Sequence, residues 1–537
     1  MLGAGGGTSS YEEIETTDLI LLWGSNAREA HPIFFHHLMK GVRNGAKMYV
    51  VDPRRTTSAA WGDVWLGIDV GSDIALANTV GREIIAAGLA NEDFINHSTS
   101  HFEEYKAAVE EWTLERGEQV TGVPAQVIKE MAHDYATAET AQICWTLGIT
   151  EHANATDNVL ALINLALLTG HVGRYGSGLV PIRGQNNVQG GGDMGALPNK
   201  LPGFQDVEDD DARGKFEALW GHPVPPKSGL HISLMLEAMK EKEITALYVI
   251  GENPAQSEAD THHTEAVLEG LEFMVVQDIF LTRTAEMADV VFPAAAGWAE
   301  SDGTSTSSER RVQRVRRALI PPGEAKDDTE IISLLAERMG RGWGVPAAEE
   351  IWDELRALSP MHGGMSYRRL EEMGGIQWPC PHEDHPGTQF LHAWLWEETL
   401  PRDPAPFMPT VWAPPIDELS DEFPVRMTTG RRLDSYNTGV QSGGYDSPLR
   451  SGGIIEIAPE DGAEWGLAEG DIVKVSSRRG AIDVPVHFHE SLRPGLAFMA
   501  FHFPDEAAVN ELTIDVWDPK SGTAEFKATA VRIEKVA

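Results

Sequence analysis

Short apolar runs that end on polar, turn-forming residues recur through the first half of this sequence, with longer helical patterns between them. DLILLWGSN (18–26) and KMYVVDPRR (47–55) flank the helix-like AHPIFFHHLMKGVRN. AQICWTLGIT (141–150) follows PAQVIKEMAHDYA, and NVLALINLALLTG (158–170) reads as a buried helix. The pattern resumes with ALYVIGENP (246–254), EFMVVQDIF (272–280) and ADVVFPAAA (288–296). Strands of about five apolar residues alternating with helices bury both of their faces in a parallel sheet covered on each side. Beyond Phe423 the period changes to two. GIIEIAPE, DIVKVSSRRG, AIDVPVHFHE, LAFMAFHF and ATAVRIEKV, separated by Gly- or Pro-marked turns, fit a closed or nearly closed β-barrel. Between these regions, from about Pro346 to Pro415, Trp, Pro and His are frequent and periodicity is poor, and LPRDPAPFMPTVWAPP (400–415) reads as an extended linker. The expected architecture is therefore α/β: two doubly wound Rossmann-like domains (1–185 and 186–297), an irregular linking region (298–415) and a C-terminal β-barrel domain (416–537).

In a doubly wound sheet, ligands bind beyond the carboxyl ends of the strands. Here those ends are alike in kind: Gly24-Ser25-Asn26, Asp52-Pro53-Arg54-Arg55, Gly251-Glu252-Asn253-Pro254 and Gln277-Asp278. Each alone is an ordinary turn sequence. Four in matching positions, two in each sheet, point to two nucleotide-like ligands whose hydroxyls or base edges meet the acids and amides. The N-terminal GAGGG precedes a strand instead of joining a strand to a helix, so it is no phosphate loop. Between the two sheets lies PIRGQNNVQGGGDMGALP (181–198), whose glycines let backbone approach a ligand closely and whose polar side chains can hold one.

GSNAREAHP, VDPRR, RGQNNVQGGGDMGALP, GENP, QDIFLTRTAEMADVVFP and DPKSGTAEFKATAVRIEKV together resemble the catalytic subunit of molybdenum- or tungsten-dependent formate dehydrogenases of the dimethyl sulfoxide reductase superfamily, in order and over nearly the whole chain. The resemblance implies a bis-molybdopterin guanine dinucleotide holding molybdenum or tungsten, and oxidation of formate to carbon dioxide. It implies that Arg183 is the active-site arginine that binds formate's carboxylate, with Gln185 beside it as a neutral donor. A guanidinium suits that task because it forks onto a carboxylate and keeps its charge. It implies that Asn186 and Asn187 lie against the pterin, and that Asn26, Asp52, Arg54, Glu252, Asn253, Gln277 and Asp278 hold the guanosines. Arg431, Asn510 and Lys527, from the barrel, would close over the other side.

Family members also carry a four-cysteine [4Fe–4S] domain and a metal-ligating Cys or selenocysteine ahead of the segment that MLGAGGG resembles. Two cysteines, Cys144 and Cys380, cannot supply a cluster, and Cys144 lies in an apolar strand pattern. The expectation is a sequence truncated upstream, for instance at an in-frame selenocysteine codon, and inactive by itself; the other reading is an upstream part that is a separate chain or has been lost. Two further functions stay open: a cofactor-holding or structural subunit without catalysis, and another molybdopterin oxidoreductase of the superfamily, such as a nitrate reductase.

The formal net charge of -39 argues against nucleic acid and against contact with an anionic membrane. It fits a heavily hydrated surface, and a salt-rich source remains open. The sequence contains no long apolar span or signal-like start, and its two cysteines make no disulfide framework, so a cytoplasmic location is expected. Electron-transfer subunits, or a ferredoxin- or NAD-linked partner, are implied by the resemblance. ERRVQRVRRALIPP (309–322) puts five arginines on this acidic chain without interleaved aromatics for base stacking; by resemblance it packs near the iron–sulfur domain. CPHEDH (380–385) has only three candidate metal ligands, in a Pro-rich stretch, and reads as a surface loop.

Overall fold

The computed structural model describes residues 1–439 and 452–536. The chain forms two compact units, one of residues 1–184, 256–262 and 390–537, the other of residues 185–255 and 263–389.

The first unit opens with a five-stranded parallel sheet of β1 (Leu19–Trp23), β2 (Lys47–Val51), β3 (Val64–Leu66), β4 (Ala141–Trp145) and β5 (Gly178–Pro181), in the order β3-β2-β1-β4-β5. All five residues of β1 are buried. Leu19, Leu21 and Trp23 face one core with Ile74, Leu76, Val80 and Leu165, while Ile20 and Leu22 face another with Phe34, Leu38 and Cys144. That is why its sequence is continuously apolar: alternate residues serve opposite faces, each closed by helices. Helix α1 (Pro32–Asn44) covers one face. Helices α2 (Asp73–Ala86), α3 (Ala125–Thr137) and α4 (Ala155–Thr169) cover the other. The strand order reverses between β1 and β4. At this switch the backbones touch: Gly148 N donates to Gly24 O at 3.2 Å, and Gly24 has φ 56°.

In the second unit, β6 (Ala246–Ile250), β7 (Phe273–Asp278) and β8 (Val290–Pro293) form a three-stranded parallel sheet in the order β8-β7-β6. Strands β9 (Gly303–Thr306), β10 (Arg311–Val315) and β11 (Ile376–Gln377) form an antiparallel sheet. The arginine-rich run lies along β10 and is largely consumed within the unit. Arg310 is fully buried and donates to the carbonyls of Trp378, Thr388 and Gln389; Arg314 lies over the Tyr367 ring and pairs with Asp302 and Glu371. The stretch from 346 onward is less irregular than its composition suggests. It holds helix α5 (Ala348–Leu358), which buries Trp352, and the segment CPHEDH is only partly a surface loop: residues 381–384 are exposed, but Cys380 is completely buried against Arg369.

Residues 400–415, expected to be a linker, are a strap packed on the first unit. Ala405 and Pro406 pair with Thr99 and Ser100, Phe407 stacks on Tyr105, and Asn164 Nδ2 donates to Met408 O. Composition hid this because prolines mark an exposed linker and a pinned extended segment equally well. The strap leads into a closed barrel of β12 (Val425–Gly430), β13 (Ile455–Ile457), β14 (Ile472–Ser476), β15 (Ala481–Phe488), β16 (Leu496–Ala500) and β17 (Thr529–Lys535). Its order is β12-β16-β13-β15-β14-β17, with β12/β16 and β13/β15 parallel. Ala497 and Met499 of β16 fill the barrel, while Leu496, Phe498 and Ala500 point out of it into a second small core. Among the described residues no helix is long and apolar enough to cross a membrane.

Candidate functional site

In the first unit the candidate residues gather at the carboxyl edge of the parallel sheet. Asn26, just past β1, is the N-cap residue of the short helix Ala27–Ala30, but its side chain makes no capping hydrogen bond. Its Oδ1 accepts from Ser58 Oγ at 2.8 Å, Ser58 N at 3.2 Å and Thr57 Oγ1 at 3.1 Å, which ties the β1 end to the β2 end. Asp52 ends β2, is 8% exposed and accepts from Arg54 N at 2.9 Å. Burial pushes its carboxyl up to about 6, although Arg54 works the other way. The Arg54 guanidinium lies 3.5 Å over the ring of Phe498, which the barrel turns outward. Together with Asn26, Arg55, Arg432, His489 and other residues, this pair lines a cavity of about 650 Å³.

Arg183 follows β5. Its Nη2 donates to Gly5 O at 2.8 Å, and its carbonyl accepts from His31 Nε2 at 2.7 Å. Since a carbonyl can only accept, His31 carries its proton on Nε2; burial, followed by nearby Arg431, lowers its pKa and keeps the ring neutral. Arg431 and Lys527 come from the barrel and converge on one carboxylate, that of Glu151: Lys527 Nζ lies 2.6 Å from Oε2 and Arg431 Nη1 3.2 Å from Oε1. Burial opposes ionisation of Glu151, yet the two cations hold its pKa below the ordinary value. Asn510 has a different local task. Its Nδ2 donates to the carbonyls of Gln256 and Ser257, fixing that loop.

The second unit holds the other candidates. Gln185 is exposed at the start of the Gly-rich stretch. Asn187 adopts φ 62°, and its Oδ1 accepts from Thr306 N at 2.8 Å; Asn186 Oδ1 accepts from Ser305 Oγ at 3.4 Å. A side chain in place of Gly190's hydrogen, in the short helix Val188–Asp193, would meet Asn187 Oδ1 at 2.0 Å and push that amide off Thr306 N. Glu252 Oε1 accepts from Asn253 N, and Asn253 Oδ1 accepts from Thr284 N and Oγ1. Gln277 is fully buried: its Oε1 accepts from Tyr248 and its Nε2 donates to Asp328. Asp278 Oδ1 accepts from Phe280 N, and burial raises its pKa. Thus Asn253 and Gln277 shape the loops after β6 and β7, while Glu252 and Asp278 are the acids those loops present.

Sequence patterns did not single out Glu151, His152, Glu525, Arg432 or Phe498. The one available signal was TEHA a few residues beyond a strand end, at the end of the short helix Leu147–Thr150, but charged residues there have no periodicity to mark them. His152 Nδ1 lies 3.3 Å from Glu525 Oε2, and its Nε2 lies 3.1 Å from Gly148 O. Both partners accept, so the ring is doubly protonated. Burial opposes that charge, but Glu525 raises the His152 pKa above the ordinary value.

A Molybdopterin oxidoreductase family model matches residues 4–338, and a Molydopterin dinucleotide binding domain model matches residues 425–530. The chain belongs to the molybdopterin oxidoreductase family. Its relatives place this oxidoreductase among the formate dehydrogenase alpha subunits. It is 42% identical over 99% of its length to F420-dependent formate dehydrogenase 2 subunit alpha of Methanococcus maripaludis, covering 79% of that relative. The F420-dependent formate dehydrogenase subunit alpha of Methanocaldococcus jannaschii gives 42% with the same two coverages. Formate dehydrogenase H of Escherichia coli is 37% identical over the whole chain, which spans 75% of that protein. In fold, acetylene hydratase from Pelobacter acetylenicus matches 99% of the chain with a TM-score of 0.75 at 19% identity.

The cofactor of this oxidoreductase is a bis-molybdopterin guanine dinucleotide with molybdenum or tungsten. The first unit fits such a group. Two buried polar atoms that follow β1, Ser25 Oγ and His31 Nδ1, have no hydrogen-bond partner among the described residues, and the cavity lined by Asn26 presents Arg54, Arg55, Arg432 and the Phe498 face, with Glu29, Glu456 and Glu469 also on its wall. A ligand with phosphates and with ring donors and acceptors meets each of those needs.

Proposed function

We propose that this chain is the part of a formate dehydrogenase that oxidises formate to carbon dioxide, with Arg183 and Gln185 as the substrate-binding residues. The observation that supports it most is the set of cations at one sheet edge: Arg183, Arg54, Arg431 and Lys527 in a chain whose net charge is -39. Local positive charge of that kind attracts a small anion and the phosphates of a dinucleotide against the field of the whole molecule. Arg183 binds and orients the carboxylate; as the product is neutral, its hold weakens once the charge has gone. Gln185 donates a neutral hydrogen bond. When bound, the metal centre takes up the two electrons that formate gives. Neutral His31 holds the backbone of Arg183 and so sets where the guanidinium points.

Asn26, Asp52, Arg54, Glu252, Asn253, Gln277 and Asp278 would hold the guanosines, Asn186 and Asn187 would lie against the pterin, and Arg431, Asn510 and Lys527, from the barrel, would close over the other side. These residues belong to the proposed domains 1–185, 186–297 and 416–537, with 298–415 as the linking region. Neither cysteine of this sequence suits the metal. Both are fully buried, and burial drives the Cys144 thiol far up. On this reading these 537 residues would not by themselves turn over formate, since neither cysteine can serve as the metal's ligand. Electrons would leave through partner subunits; the F420 dependence of the two archaeal relatives supports an F420-linked acceptor over a ferredoxin- or NAD-linked one.

The test is Arg183→Ala in the full-length, metal-loaded enzyme. Formate oxidation should fall at least about a thousandfold while metal and pterin content stay at parent levels. Activity within threefold or so of the parent refutes the assignment of Arg183. A parent enzyme that binds the cofactor but oxidises no formate supports the cofactor-holding alternative instead.

A further inference from the structure

Glu151 and His152 follow the end of β4, and both meet the barrel segment 525–527 from inside the same unit. His152 pairs with Glu525, Ala153 N donates to Glu525 Oε2 at 3.0 Å, and Phe526 N donates to Glu151 O at 3.1 Å. These contacts dock the segment without any help from the Glu151 side chain. That side chain does something else. Its carboxylate takes Lys527 on one oxygen and Arg431 on the other, and both cations lie over the Phe501 ring, 5.4 Å and 4.9 Å from its centroid.

Among the described residues no other carboxylate pairs with Lys527 or Arg431. Lys527 is 6% exposed, and Nζ otherwise donates to Thr429 O at 3.1 Å. A buried ammonium with only a carbonyl and an aromatic face for company loses its proton easily. The other charged groups facing it do not replace that carboxylate: Arg54 and Arg431 repel it, Asp52 makes no ion pair with it among the described residues, and Glu525 is engaged by His152.

We propose that Glu151 is a positioning residue whose carboxylate fixes the two barrel cations facing the dinucleotide and keeps Lys527 charged. This rests on the assignment of Lys527 and Arg431 to the cofactor made above. Glu151 itself need not touch the cofactor. It acts by holding Lys527 and Arg431 in one geometry and by opposing the loss of the Lys527 proton, since burial lowers the Lys527 pKa and Glu151 works against that lowering, so that the cofactor's anionic groups meet two cations instead of one.

The experiment follows release of the pterin, by the fluorescence of its oxidised form, from the full-length loaded enzyme between about pH 6 and pH 9. Glu151→Gln, Glu151→Asp and Lys527→Met are compared with the parent. The parent and E151D should release cofactor slowly, with only the shallow change near the acid end that Asp52 gives to both. E151Q should start close to the parent at the acid end and release at least about tenfold faster at the alkaline end, as Lys527 deprotonates. K527M should be leaky at every pH, and the double variant E151Q/K527M should match K527M.

A purely structural Glu151 would give E151Q and E151D the same pH-independent loss, and that result overturns the proposal. So does an E151Q profile equal to the parent's. If E151Q does not accumulate as folded protein, the double variant decides: equality with K527M supports action through Lys527, and a further loss overturns it. Release is measured without formate, so an enzyme with this pH pattern that fails to oxidise formate overturns only the substrate reading. A parent that holds no dinucleotide overturns both.

Discussion

Replacing Gly148 with alanine should separate the stability of this protein from the competence of its site. A Cβ on Gly148 would lie 2.5 Å from Gly24 O and 2.7 Å from Gly24 Cα, where ordinary contact begins at about 3.4 Å, so the two strand-end loops must part by up to about 0.9 Å. The obstructing atoms are backbone, and no flexible side chain can swing aside. Overpacking of this kind costs about 1–3 kcal/mol, a modest loss for a chain of this size. The displacement falls between Asn26 on one loop and Glu151 and His152 on the other. A misplacement of about 1 Å at a reacting site lowers turnover about a hundredfold. Thermal melting, pterin content and formate-driven dye reduction on the purified full-length variant give the comparison. The expected result is a melting shift of a few degrees, as that cost implies, with cofactor content and turnover reduced by an order of magnitude or more. A G148A enzyme with turnover and pterin content within about twofold of the parent would refute the view that the Gly24–Gly148 approach sets the site.

Asp52→Asn should stabilise the cofactor-free protein. Between the ordinary carboxyl value of 3.8 and about 6, the folded chain keeps a proton that the unfolded chain has lost, so stability falls as pH rises through that window and stays lower above it. Removing the charge should recover up to about 2–3 kcal/mol at neutral pH, read by urea denaturation, while weakening retention of the dinucleotide. His152 works in the opposite sense. Its pKa is raised in the folded chain, so its contribution is complete below the unfolded value of 6.5 and is lost as pH rises through the folded value; His152→Gln should abolish that alkaline slope in denaturation curves. Arg310→Met should leave the carbonyls of Trp378, Thr388 and Gln389, one buried and two part-buried, without this donor and cost about 2–5 kcal/mol. Hydrogen exchange should show it as local opening of residues 376–389, and unchanged protection there would count against the assigned role.

Much of the architecture is legible because a doubly buried strand has few ways to be written. The apolar runs at 19–23, 47–51 and 141–145 serve two cores at once, and the period-two segments beyond residue 423 serve one. Helix Ala348–Leu358 and the strap around Phe407 were not legible, because each is stabilised by one or two large side chains, Trp352 or Phe407, and not by a repeating stripe. Within the site, Asn26, Asp52 and Arg54 stand out since a strand end announces its own position. Lys527 and Arg431 enter through resemblance alone. Glu151 and His152 escaped both routes, as their significance lies in partners 373 or so residues away, and nothing local marks a carboxylate that will meet two cations from a distant barrel. Asn510, Asn253 and Gln277 teach the converse lesson. An amide at a promising place can be fully occupied in shaping a loop.

The distance along the chain between His152 and Glu525 also has a consequence in time. On a ribosome adding about 5–20 residues per second, the segment that carries Glu525 and Lys527 emerges roughly 20–75 seconds after the sheet edge it completes. During that interval the first sheet can form, but Glu151 lacks Lys527 and Arg431 and His152 lacks Glu525, so the edge carries Arg54 and Arg183 without the two cations of the barrel. An anionic dinucleotide would meet only part of the positive charge that the finished site offers. Full-strength retention of the cofactor would therefore wait for the barrel.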